Sequence, residues 1–263
     1  MPVLGVIAGF LSGLLGIGGG IVLVPALIYL LPTLPQISES NVTIVAIATS
    51  LFTIIITAFS SGRSHYKKGN VDLSMTVPVA LAVAFTSVLA SNVAANLSSR
   101  TLTSIFAILM SVLAVQIYRG SKKITEQDQK PSTGQLVLGG GLTGFLASIA
   151  GLGGGAILVP YLTHIGTNIR KSIGTAAACG MVVAVFGSIG YLMAGWQFNN
   201  SIEFVGFVHW PTALMIMLFS YFSAPFGVKA GQKLNQVQLK KVFAVFMMLV
   251  SAKLLFEQMT MMS

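Results

Sequence analysis

The chain has 263 residues, of which 54% are hydrophobic and only 8% charged. A soluble domain has about a quarter of its residues charged so that its surface can meet water, and this composition excludes such a surface over most of the molecule. The net charge of +9 comes from 15 Lys and Arg that sit almost entirely between apolar runs; that pattern marks membrane loops and leaves no basic, aromatic-bearing domain for a nucleic acid.

In chain order, eight apolar segments fall near 2–31, 41–61, 72–97, 102–118, 134–163, 173–195, 202–227 and 237–260. About 20 apolar residues cross the ~30 Å hydrocarbon core as helix, so an all-α polytopic membrane protein is expected, with the lipid bilayer as its main partner. No basic region precedes the first segment, and no small-residue cleavage site with a soluble domain follows it, which argues against a removed signal peptide.

The first segment carries GFLSGLLGIGGGIVLVPAL at 9–27, and the fifth carries GFLASIAGLGGGAILVPYL at 144–162. Eleven of these 19 positions are identical at a constant offset of 135, so the chain contains an internal repeat. The match continues more weakly: Ala-Thr-Ser at 48–50 answers Gly-Thr-Ala at 174–176, Gly69 answers Gly195, and Pro78 and Pro211 mark the following spans. The polar stretch GSKKITEQDQKPST divides the halves. The expected organisation is a first transmembrane repeat at 1–119, a polar cytoplasmic linker at 120–133 and a second repeat at 134–263.

Segments one and five are about 30 residues long, ~45 Å as helix, which exceeds the hydrocarbon thickness. GIGGG or GLGGG interrupts each near its centre. Eight simple spans would divide the basic residues eight against seven between the two faces, whereas two re-entrant hairpins divide them thirteen against two, with Arg100 and Lys253 the exceptions. Membrane proteins carry such a bias. The expected architecture is therefore two inverted repeats, each a glycine-broken hairpin with arms of about 13 residues plus three transmembrane helices. The loop at 31–41 and both termini then lie outside, and the loop at 163–172 inside. Broken full spans lining a cavity are the alternative.

Gly16, Gly18, Gly19 and Gly20, with Gly151, Gly153, Gly154 and Gly155, let the chain turn and bare backbone N–H groups. A helix starting after such a break aims its positive end at an anion. The bland reading is close helix packing through Gly-x-x-x-Gly, but packing alone does not require three consecutive glycines twice. Pro25 and Pro160 lie five residues beyond each break and shape the arm, freeing the carbonyls of Ile21 and Ala156. Thr49, Ser50 and Thr175 supply short hydroxyl donors on the span after each hairpin, although such groups also bond back to their own helix. Ser91, Asn92 and Asn96 are weaker polar candidates.

Lys253 and Glu257 are spaced for an i, i+4 pair. His65, His164 and His209 fall near segment ends and read as solvated, and Cys179, the one cysteine, reads as buried core. Gly9 to Gly13 is not a hydrolase elbow, and GIGGG is neither a dinucleotide fingerprint nor a P-loop. No catalytic residue, metal site or cofactor is expected.

The doubled glycine-proline motif, each copy followed by an Ala/Gly-Thr-Ser/Ala step, resembles the TauE/SafE family of sulfite exporters, also called the toluenesulfonate uptake permease family, over nearly the whole chain. The resemblance implies a carrier for sulfite and organosulfonate anions in the inner (cytoplasmic) membrane, with export driven by the proton gradient. By position the family motif falls on Gly16, Gly18, Gly19, Gly20, Pro25, Thr49 and Ser50, and on Gly151, Gly153, Gly154, Gly155, Pro160 and Thr175. Ala176 departs from it, where a serine is common, so the second half is one hydroxyl short. The residues alone reach an anion carrier with backbone-donor sites; sulfur comes from the resemblance, and alternating access, one inverted repeat moving against the other, is the leading hypothesis. An anion channel and a non-transporting partner of a sulfur-metabolism enzyme are the competing readings. A second copy of the chain is a candidate partner.

Overall fold

A computed structural model describes residues 1–15, 19–34, 37–119, 131–198, 201–233 and 236–260. The first half runs through α1 (Pro2–Leu15), α2 (Gly20–Leu30), α3 (Val42–Lys67), α4 (Leu73–Ala95) and α5 (Ser99–Arg119). The second runs through α6 (Thr133–Ala150), α7 (Gly155–His164), α8 (Ile169–Ala194), α9 (Trp210–Lys233) and α10 (Gln236–Thr260). Between α8 and α9 the strands β1 (Phe204–Val205) and β2 (Val208–His209) pair antiparallel. Residues 120–130 of the expected linker lie outside the described residues. Helix α6 begins at Thr133, one residue ahead of the expected repeat boundary, because Ser132 and Gln135 form a capping box that starts it there.

Among the described residues, six helices are long and apolar enough to cross a membrane: α3, α4, α5, α6, α8 and α10. Five of them, α3, α4, α5, α8 and α10, are among the expected spans after each hairpin. Helix α6, expected as a hairpin arm, also qualifies with 18 residues, and α9 is 24 residues long. The segments that flank the glycine breaks are also unequal, 14 and 11 residues in the first half and 18 and 10 in the second.

Helix α4 displays the inside-out pattern of a lipid-facing helix. Leu73, Val77, Leu81, Phe85, Leu89 and Val93 recur every fourth residue and are all exposed, whereas the opposite face buries Thr76, Val79, Val83, Ser87 and Ser91. Hydrocarbon gives no hydrophobic drive for helices to associate, so close backbone approach and interhelical hydrogen bonds must hold them. Accordingly Gly140 and Gly144 of α6 sit on Val79 and Val83 of α4, and Gly5 and Gly9 of α1 sit on Phe219 and Ser220 of α9. A β-carbon at Gly144 would run into Val83 and Thr86, and one at Gly9 into Ser220 and Ser223. The first helix of each half therefore packs on the fourth helix of the other, and the halves interlock.

The same contacts give the chain directions. Helices α6 and α7 fold back on each other: the Tyr161 hydroxyl donates to the Gln135 carbonyl (2.8 Å) far from the turn, and Thr143 lies against Gly154 beside it. In the first half, Gly19 lies against Ser12 and Ala8. Helices α3 and α8 cross in opposite directions, with Gly62 against Ala177 and Ala178 and Gly187 against Leu51. Helix α4 runs parallel to α8, with Thr76 on Thr175 and Ser91 on Gly187.

Candidate functional site

The glycine breaks of the two halves share one backbone geometry. Gly19 has φ 69° and ψ −27°, and its counterpart Gly154 has φ 72° and ψ −26°. This left-handed conformation favours glycine, and each residue is the N-cap of the helix that follows. Neither α2 nor α7 receives a side-chain cap. The first N–H groups of both helices are thus left for some other acceptor. Gly16 and Gly18 lie outside the described residues.

The two breaks touch. Gly20, the first residue of α2, packs on the carbonyl of Gly151 and on Leu152, where a side chain would collide. Ser50 on α3 donates its hydroxyl to the same Gly151 carbonyl at 3.1 Å. Gly153 presents its carbonyl to Gly180 of α8, and Gly155 faces open space. Thus Gly20, Ser50 and Gly151, far apart in sequence, form one cluster.

The threonines on either side serve other contacts. Thr49, fully buried, accepts the backbone N–H of His209 at 3.1 Å, and Thr175, also fully buried, accepts from Thr76 at 3.3 Å. Pro25 and Pro160 lie inside α2 and α7. Ser91 donates to the carbonyls of Ser87 and Gly187, while Asn92 and Asn96 are exposed and bond back to their own chain. Cys179 is buried, as expected. Lys253 and Glu257 pair at 3.7 Å, and the structure adds Tyr29: its ring lies 4.2 Å under the Lys253 ammonium and its hydroxyl donates to Glu257 at 2.9 Å, tying α2 to α10.

One expectation needs correction. His164 is exposed, but His209 is not solvated: it is 4% exposed, because the β1–β2 hairpin folds it back against α3.

A small cleft with room for about one water opens beside Gly19 between α1, α2, α3 and α9. Its polar lining is Ser12, Thr53, Thr57 and Ser220, with Leu23 and Ile54 apolar. Thr53, Thr57 and Ser220 donate to carbonyls three residues back, bonds that a hydroxyl can exchange for a ligand by rotating. The corresponding positions of the second half, at the repeat offsets of 135 and 126, are Ala147, Cys179 and Val183 in place of Ser12, Thr53 and Thr57. Thr49, Thr53 and Thr57 recur every fourth residue along α3, and that stripe is the sequence signal from which the pocket could have been found. Among the described residues, no group of three His, Cys, Asp or Glu could hold a metal ion.

The sequence pattern of the family described as "Sulfite exporter TauE/SafE" matches residues 1–254. A "Probable membrane transporter protein" of Haemophilus influenzae is 36% identical over 250 residues, covering 94% of each chain. Another so named from Methanocaldococcus jannaschii is 25% identical over 242 residues, covering 90% of this chain and 88% of its own. The probable membrane transporter protein YunE of Bacillus subtilis is 25% identical over 276 residues, covering 98% and 97%. No solved structure matches. This multi-pass membrane protein belongs to the TauE/SafE sulfite exporter family of membrane transporters.

Proposed function

We propose that the chain is a secondary transporter that exports sulfite or an organosulfonate-type anion across the cytoplasmic membrane by alternating access, coupled to the proton gradient. The observation that carries this reading is the pair of uncapped helix starts at Gly19 and Gly154, one of them opening on a hydroxyl-lined pocket. Uncapped N–H groups and the positive end of the helix dipole attract an oxyanion. The hydroxyls of Ser12, Thr53, Thr57 and Ser220 complete the shell without a formal charge, so the ion can be released again. The anion class follows the family name.

Two inverted repeats, 1–119 and 134–263, each opening with a re-entrant hairpin, are the proposed frame. The opposed α3 and α8 and the fold-back of α7 on α6 support it; eight simple spans would set α3 and α8 parallel. Movement of one repeat against the other would open and close the contact of Gly20 and Ser50 with Gly151. Gly153, Gly155 and Thr175 belong to the second half-site, which Ala176 leaves one hydroxyl short. Gly16 and Gly18 complete the first break, with Thr49 behind it. A homodimer is the proposed assembly.

The test is the flux of sulfite and of a sulfonate into proteoliposomes. Saturable flux that is lost when Gly19 or Gly154 is replaced by valine supports a carrier. Fast flux that never saturates would make the protein a channel, and absence of flux together with co-purification of an enzyme would make it a membrane partner.

A further inference from the structure

We propose that His209 is the proton-binding residue of the transport cycle, and that its protonation releases the start of α9 from its cap. The proposal rests on the transport reading above and adds the residue and the event.

His209 immediately precedes α9 and caps it with its ring: Nδ1 accepts the backbone N–H of Thr212 at 3.4 Å and lies 2.8 Å from the Thr212 hydroxyl. Because Nδ1 accepts, the proton of the neutral ring sits on Nε2. Among the described residues Nε2 has no hydrogen-bond partner, and it lies 3.6 Å from the Glu203 carboxylate. The His209 side chain is 6% exposed and that of Glu203 40%, so the carboxylate stands between the buried ring and the outside. The elements packed on the ring and its backbone are accounted for in turn. Helix α3 brings Thr49, which accepts the His209 N–H, and α9 brings Thr212. The β1 strand brings the Phe204 ring at 4.9 Å. Helix α8 carries Tyr191, whose hydroxyl is committed to the Ser148 carbonyl. Among the described residues Glu203 is the charged group that faces the imidazole.

A second proton can enter the ring only at Nδ1. The Thr212 hydroxyl can rotate to accept from the new N–H, but the Thr212 backbone N–H cannot, so the cap bond breaks. The imidazolium also places a positive charge at the positive end of α9, which is unfavourable. Burial opposes that charge more than Glu203 favours it, so the ring is held below the usual imidazole value and the neutral, capping form is preferred until the exterior turns acid. The consequence reaches the pocket through α9, which carries Ser220, and through Thr49 on α3, one turn from Thr53. In the orientation proposed above, the β1–β2 hairpin lies on the outer face, so the proton arrives from outside as the anion leaves.

The test uses His209→Asn, since an asparagine oxygen still caps a helix but does not titrate. With Trp196→Phe as background, Trp210 is the sole tryptophan and reports on the start of α9. Its fluorescence should change in one step below the usual imidazole value of 6.5, and the step should vanish in His209→Asn. Glu203→Gln should move it to lower pH and decides the matter if His209→Asn does not fold. In proteoliposomes, with leak through protein-free liposomes subtracted, labelled sulfite should still exchange through His209→Asn at equal pH. An acid exterior, which accelerates efflux through the wild type, should no longer do so. A fluorescence step that survives in His209→Asn, or efflux in that variant that the gradient still accelerates, overturns the proposal. If the wild type moves no sulfite, the transport reading fails, and the fluorescence step still decides the proton site.

Discussion

The Oγ of Ser50 donates to the carbonyl oxygen of Gly151 across 3.1 Å, so the helix that follows the first glycine break holds the second break in place. The counterpart of Ser50 in the other half is Ala176, which cannot return the bond. The two glycine breaks are therefore fastened unequally, and the fastening lies on the first half.

Replacing Ser50 by alanine removes that bond and leaves a buried carbonyl with one partner fewer, a loss of about 0.5–1.5 kcal/mol. We expect a lower melting temperature in detergent and a changed sulfite flux. Melting and flux both equal to wild type would show that the bond holds nothing.

Gly20 and Gly155 occupy corresponding places but differ in surroundings. A β-carbon at Gly20 would strike the Gly151 carbonyl, while one at Gly155 meets nothing within 4 Å. Gly20→Ala should therefore destabilise the protein, and Gly155→Ala should melt as the wild type does. If Gly155 serves by letting an anion approach the start of α7, Gly155→Ala will lose flux without losing stability. Unaltered flux would reduce that glycine to a packing residue.

The hairpin topology predicts that exposed residues Ser40 and His164 lie on opposite sides of the membrane. In a Cys179→Ala background, a membrane-impermeant maleimide should label Ser40→Cys in intact cells and His164→Cys only after permeabilisation. Labelling of both from one side is what eight simple spans require.

Asp72 caps α4 by accepting the Ser74 backbone N–H at 3.1 Å and the Ser74 hydroxyl at 2.6 Å. The Ser74 hydroxyl chiefly holds its carboxyl below the usual 3.8, with help from backbone N–H groups and Lys171 and against the effect of burial. A depressed carboxylate contributes stability above the unfolded value, and that contribution fades as pH falls through the folded one. Asp72→Ala should cost about 1 kcal/mol at neutral pH, and the deficit should shrink in strong acid. Melting curves across pH decide it; a deficit constant down to acid pH would exclude the carboxylate as its source.

The membrane class and the repeat were legible because they are local patterns: apolar runs, and the same glycines and proline twice. The Lys253–Glu257 pair was legible for the same reason, since i and i+4 meet on any helix. The contact of Gly20 with Gly151 was not, because it joins positions in different halves and depends on how α2 meets α6. His209 was misread because its burial comes from a two-strand hairpin that no periodicity announces. The start of α6 at Thr133 turned on a cap at Ser132, a detail that a hydropathy reading averages away. The pocket hydroxyls sat in plain view as the Thr49, Thr53, Thr57 stripe, but only the neighbouring α1 and α9 turn that stripe into a lining.

The most direct measurement is the initial rate of labelled sulfite uptake into proteoliposomes as a function of concentration, for the wild type and for Gly19→Val and Gly154→Val. Uptake that saturates in the wild type and falls to the protein-free level in both variants, with the folded protein still recovered, is the expected result. Uptake that rises linearly without limit, or that survives intact in both variants, would contradict an anion carrier built on the paired glycine breaks.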